Sequence, residues 1–160
     1  MDMINEGLLN KLKQLLMLGN TINHAYTELE TLLSQNVFSE SPPTSNMLRC
    51  AEIFVGERTL KEISIDDGKP VCEELKNYSY NTIKFYTIPR GYCIALERSG
   101  RASGRTYCFS TLKDILGLAC NMREEDIDRL IEAAKYTLNS YSETIEKLKQ
   151  LLALVRMVLS

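Results

Sequence analysis

The chain has 160 residues and 44% of them are hydrophobic, enough for a real core in one compact domain or two small ones. Its 19 Lys and Arg residues nearly balance 21 Asp and Glu, and the net charge of -2 excludes a uniformly basic nucleic-acid coat and a disordered acidic tail. No run reaches the roughly 18 uninterrupted apolar residues of a spanning helix, and the start of the chain lacks a basic segment ahead of an apolar one. Five cysteines without a CxxC suggest neither a disulfide framework nor a zinc knuckle, so a soluble, cytoplasmic protein with no membrane partner is expected.

Composition divides the chain into a Leu-rich helical zone (1–38), a β-rich zone (39–110) and a second helical zone (111–160). In the first, positions 8, 12, 15, 19, 22, 26, 29 and 33 read Leu, Leu, Leu, Gly, Ile, Tyr, Leu, Leu, a heptad seam broken only at Gly19. Gly19 marks a kink or a place where a bulky side chain crosses closely. The stretch 39–46, with Pro42-Pro43, is a linker signal.

The middle zone predicts four or five strands. Leu48 to Val55 and Thr59 to Ile65 flank a hairpin-like turn at Gly56-Glu57-Arg58, and Asp66-Asp67-Gly68-Lys69-Pro70 is a second turn. Val71 to Lys76 fits a short helix or a strand. Thr82 to Ile88 is β-branched and aromatic, Pro89-Arg90-Gly91 turns the chain into Tyr92 to Arg98, and Thr106 to Ser110 returns. A hairpin centred on Gly100-Arg101 sets Cys93 opposite Cys108 and Ile94 opposite Tyr107. That pair of cysteines could bridge in an oxidising or hyperthermophilic cell, although buried free thiols are the first expectation.

A short helix, Thr111 to Ala119, opens on a Thr111/Asp114 capping box, and a long one follows behind Asn121 and Glu124. In the long helix, positions 127, 131, 134, 138, 141, 145, 148, 152, 155 and 159 are apolar without exception. The fold expected is α+β, with long N- and C-terminal helices paired as an antiparallel coiled coil around an inserted antiparallel sheet. Antiparallel pairing brings the widened apolar faces of the two helices together, Leu9 and Leu16 beside Leu151, Leu154 and Val158. A second chain would cover them, making the protein a homo-oligomer or a subunit of a larger complex. A fold-back at Gly19 would bury the same surplus within one chain.

Terminal helices paired around an inserted β region resemble the layout of prefoldin subunits. The resemblance is architectural, with no shared motif, and implies a protein-binding adaptor or chaperone that grips clients with apolar helix ends.

The chemistry-bearing segment is Arg98-Ser-Gly-Arg-Ala-Ser-Gly-Arg105 and the strands beside it. Residues 84–106 hold Lys84, Arg90, Arg98, Arg101 and Arg105 against the single acid Glu97, whereas residues 57–74 hold three basic and six acidic residues. Arginine offers paired donors that match phosphate oxygens, Gly and Ser permit close backbone approach, and Tyr92 and Tyr107 on the supporting strands could stack a base. Nucleic acid is therefore the first partner expected, without sequence preference. A catalytic role is not expected, nor a metal or cofactor: His24 is the only histidine, and the adjacent acids Asp66/Asp67, Glu73/Glu74 and Glu124/Glu125 point different ways, the first pair in a turn and the last at a helix start.

Overall fold

The computed structural model describes residues 5–35, 47–99 and 101–160, without the side chains of 101–103. The linker signal at 39–46 thus lies outside the described residues. Seven elements follow in order: α1 (Glu6–Leu33), β1 (Leu48–Asp66), β2 (Lys69–Ile88), β3 (Gly91–Arg98), β4 (Arg101–Cys108), α2 (Leu112–Asn121) and α3 (Glu124–Leu159). The strands form one antiparallel meander in the order β1-β2-β3-β4. The architecture is α+β, as the composition zones imply.

Local chemistry sets most boundaries. Asn5 caps α1 by accepting from the Leu8 N–H at 2.7 Å, and Thr111 caps α2 by accepting from the Asp114 N–H at 3.2 Å. Helix α3 starts two residues later than the Asn121/Glu124 pair suggests: Asp126 accepts from the Arg123 N–H at 2.8 Å and so closes the first turn. Asn121 belongs instead to the end of α2. Asp67 and Gly68, both with positive φ, make the two-residue turn between β1 and β2, and Val71 to Lys76 is strand.

The turn expected at Gly56-Glu57-Arg58 is not one. It is a bulge inside a single 19-residue strand, where four steps from Phe54 to Arg58 oppose two from Thr82 to Tyr80. Gly56, at φ +73°, supplies the left-handed backbone that such a bulge needs. A second bulge lies on β2, where five steps from Glu74 to Ser79 oppose two from Lys61 to Thr59.

One face of the sheet carries Ala51, Ile53, Ile83, Phe85, Ile94 and Leu96, all buried under the helices. The N-terminal part of α1 joins this core through Leu8, Leu12, Leu15 and Ile22, and α3 through Ile127, Leu130, Ile131 and Ala134. Further along, Leu29 and Leu32 meet Ile145 and Leu152 in a smaller cluster made by the helices alone. The heptad positions thus face inward along most of both helices. The exceptions are Leu33, replaced by Leu32 as the buried residue, and Leu159, which is exposed.

The two long helices run parallel, not antiparallel. Lys11 Nζ lies 2.8 Å from Asp128 near the start of α3, and Lys149 Nζ lies 2.7 Å from Glu28 near the end of α1. Tyr26 and Tyr141 pack edge to face between them, with centroids 5.9 Å apart. Close contacts near both starts and near both later halves of the two helices fix this direction. The apolar faces of the two helices therefore do not share one end. Leu9 and the half-buried Leu16 sit near the α3 start, while Leu151, Leu154 and Val158 lie roughly 30 Å further along α3.

Two disulfides also depart from expectation. Cys93–Cys108 joins β3 to β4 at the register expected, and Cys72–Cys120 joins the outer part of β2 to α2. Cys50 is free and buried, and burial pushes its thiol up to about 11.

Candidate nucleic-acid interface

The basic residues of the 84–106 stretch do not converge on one surface. Lys84 projects from the sheet face away from the helices and pairs with Glu97 at 2.9 Å, which holds its ammonium above the ordinary lysine range. Arg90 sits in the exposed turn between β2 and β3, at the far end of β3 from Arg98. Eight residues of strand place those two arginines roughly 25 Å apart. Arg98 and Arg105 do come together. Arg101 stands opposite Arg98 in register, and its side chain lies outside the described residues.

The Gly/Ser segment is also more ordered than a free arginine finger. β4 begins at Arg101, and the tip is tied to β2 because the Ser99 N–H donates to Asn81 Oδ1 at 2.8 Å. Gly104 is required by the sheet itself, since a Cβ there would strike the Leu96 carbonyl.

Tyr92 and Tyr107 are occupied by packing. Tyr92 stacks on Phe85 with ring centroids 6.0 Å apart, and both rings press on Gly19 of α1. Tyr107 lies against Gly117 of α2, so the small residue on the helix is matched to the ring on the strand. Burial raises the Tyr107 phenol above its ordinary range. Both rings are half-buried, each engaged on one side by a helix glycine.

What the sequence did not reveal is a recess of about 680 Å³ between the outer part of the β1–β2 hairpin and the β3–β4 tip. The bulge on β2 creates it by carrying Leu75 to Tyr78 out of the ladder. Leu60, Leu75, Leu96 and Tyr80 supply its apolar lining, Arg98 and Arg105 its cations, and Tyr78 an aromatic ring that is 64% exposed. A recess of this size, apolar inside with a few polar groups, has the form of a ligand site.

Its cations are held by carboxylates from β1. Arg98 Nη1 lies 3.3 Å from Glu57 Oε1 and donates to Ser79 Oγ at 2.9 Å. Arg105 Nη2 lies 3.4 Å from Glu62 Oε1, so the last strand reaches the first across the curved sheet. All four side chains are largely solvated, and pairs of this kind contribute little to stability.

Tyr80, which lines the recess, is also tied into a network that joins β1 to α2 and α3. The Asn121 amide makes two hydrogen bonds of 2.9 Å with the Lys61 backbone, one accepted and one donated, and Tyr80 Oη donates to the Asn121 carbonyl at 2.8 Å. Arg58 forks onto both Asp126 oxygens at 2.7 and 3.0 Å. Burial alone would raise the Asp126 carboxyl, but the bonds from Arg58 and the Arg123 N–H outweigh it and hold it below its ordinary value.

Among the described residues, no group of three His, Cys, Asp or Glu side chains could hold a metal ion, and no helix is long and apolar enough to cross a membrane. No family model, curated protein or solved structure matches the chain.

Proposed function

We propose that this is a non-catalytic nucleic-acid-binding subunit that contacts its ligand at the Arg98–Arg105 end of the sheet. The observation that supports this reading is the pairing of an apolar recess with two arginines whose counter-charges are solvated, exchangeable carboxylates. Phosphate oxygens can replace Glu57 and Glu62 at the guanidinium forks. Lys84 and Arg90 face elsewhere and play no part in it.

A fluorescently labelled oligonucleotide titrated at rising salt tests the reading. Affinity should fall linearly on a log–log plot, and the Arg98→Ala/Arg105→Ala variant should bind more weakly with a shallower slope. Affinity that is independent of salt, or unchanged in that variant, refutes it.

Self-association remains part of the proposal, moved to one helix end. Leu154 and Val158 are 60% and 84% exposed, beside Leu151, Met157 and Leu159, around and beyond Leu152, which packs on α1. Leaving these side chains in water forgoes about 25 cal/mol per Å². A second copy covers them in this reading, and the adaptor or chaperone reading places a client there instead. Light scattering on the wild type and Leu154→Glu separates them: self-association predicts a mass that falls to one protomer in the variant.

The disulfides bear on location. A cytoplasmic protein with two stable bridges belongs to a hyperthermophile, and in any other organism the same bonds point to an oxidising compartment.

A further inference from the structure

Resting on the nucleic-acid reading above, we infer that the recess selects unpaired bases, with Tyr78 as the stacking platform and Glu57 and Glu62 as built-in competitors for the phosphates. Three observations lead here. The recess is lined by the half-buried Leu75 over the buried Leu60 and Leu96, a hollow that a duplex cannot use because its base faces are stacked on one another. A splayed base brings a flat apolar face to such a surface.

Tyr78 is the second. It lies on the bulged segment of β2, which frees it from the ladder, and its ring is mostly exposed although it borders the recess. A large exposed aromatic beside an apolar hollow and two guanidiniums is the combination that single-strand sites use, with stacking tolerant of base identity and arginines tracking the backbone.

The third is the spacing of the cations. Arg105 stands opposite Leu96, two residues along β3 from Arg98. Two strand residues span roughly 7 Å, comparable to the separation of successive phosphates in an extended single strand. Each guanidinium is matched to one exposed glutamate from β1, Glu57 or Glu62. Without a ligand the carboxylates occupy the forks. With a ligand two phosphates take their place, and the glutamates turn into solvent. The glutamates therefore weaken binding, and removing their charge strengthens it.

The test uses the full chain with a short fluorescein-labelled oligothymidylate and the equivalent blunt duplex, read by anisotropy at fixed salt. The wild type should bind the single strand at least roughly tenfold more tightly than the duplex. Tyr78→Ala should lose about tenfold for the single strand with the salt slope unchanged, and Tyr78→Trp should retain affinity. Glu57→Gln/Glu62→Gln should tighten binding by roughly two- to fivefold, the scale of exposed ion pairs. All three positions are solvated, and a thermal melt checks that each variant folds. Equal affinity for duplex, an unchanged Tyr78→Ala variant, or weaker binding by the glutamine pair would each overturn the inference. Those results leave the nucleic-acid reading standing if the salt slope still depends on Arg98 and Arg105, whereas failure to bind either oligonucleotide ends both.

Discussion

Gly19 of α1 meets Phe85 of β2 so closely that a Cβ on the glycine would lie 2.8 Å from the ring, with Tyr92 only 2.9 Å away. The helix can rest on the sheet at this height because it presents no side chain there. Gly19→Ala gains up to about 1 kcal/mol in helix propensity but forces the ring or the helix to move, at about 1 to 3 kcal/mol. A net loss of stability is expected, measured as a lower urea midpoint with an unchanged m value.

The direction of α3 relative to α1 can be read by a zero-length carbodiimide crosslinker. Lys11 should join Asp128 or Glu124, and Lys149 should join Glu28, in peptides identified by mass spectrometry. An antiparallel pair would instead link Lys11 to the far end of α3.

Asp126 carries a pH prediction. Its carboxyl is held below the ordinary value in the folded protein, so its contribution is present above the unfolded carboxylate pKa, near 3.9, and is lost as pH falls through the lower folded value. Asp126→Asn should cost about 2 kcal/mol at neutral pH by leaving Arg58 without its counter-charge. Urea titrations at neutral and acidic pH should show the variant losing less stability than the wild type below about pH 4.

The cysteines give a thiol count. The native protein should react with no thiol reagent, because four sulfurs are bridged and Cys50 is buried with its pKa pushed up to about 11. Denaturation should expose one thiol and reduction five. Serine at both Cys72 and Cys120 should cost about 4 kcal/mol, since the bridge closes a loop across 48 residues, and the shorter Cys93–Cys108 loop about 3.

Much of this fold is legible in the sequence because it is encoded locally. The heptads place most of the buried helix positions, Thr111 marks its cap, and the symmetry of the 98–105 segment sets Cys93 against Cys108. The helix direction was not legible, because an apolar seam on each helix fits a parallel neighbour as well as an antiparallel one, and the ion pairs that mark the direction join residues more than 100 positions apart. Gly56 supplies positive φ equally well to a hairpin turn or to a bulge, so the turn expected there is a bulge. Of the site, Arg98 and Arg105 were visible as charge, but their partners Glu57 and Glu62 lie about 40 residues away in the chain. The recess was not visible at all. It depends on a register mismatch between β1 and β2, and nothing in the run Leu75-Lys-Asn-Tyr78 distinguishes a looped-out segment from a paired one. Tyr92 and Tyr107 have the chemistry to stack a base, but Gly19 and Gly117 on two helices claim their faces.

The most direct measurement is photocrosslinking of a bromouracil-containing single strand to the intact protein, followed by peptide mapping. Crosslinks confined to the segments around Tyr78 and Arg98 to Arg105 are the predicted result. Crosslinks at Arg90, on the Lys84 face of the sheet or at the exposed end of α3 would contradict the account.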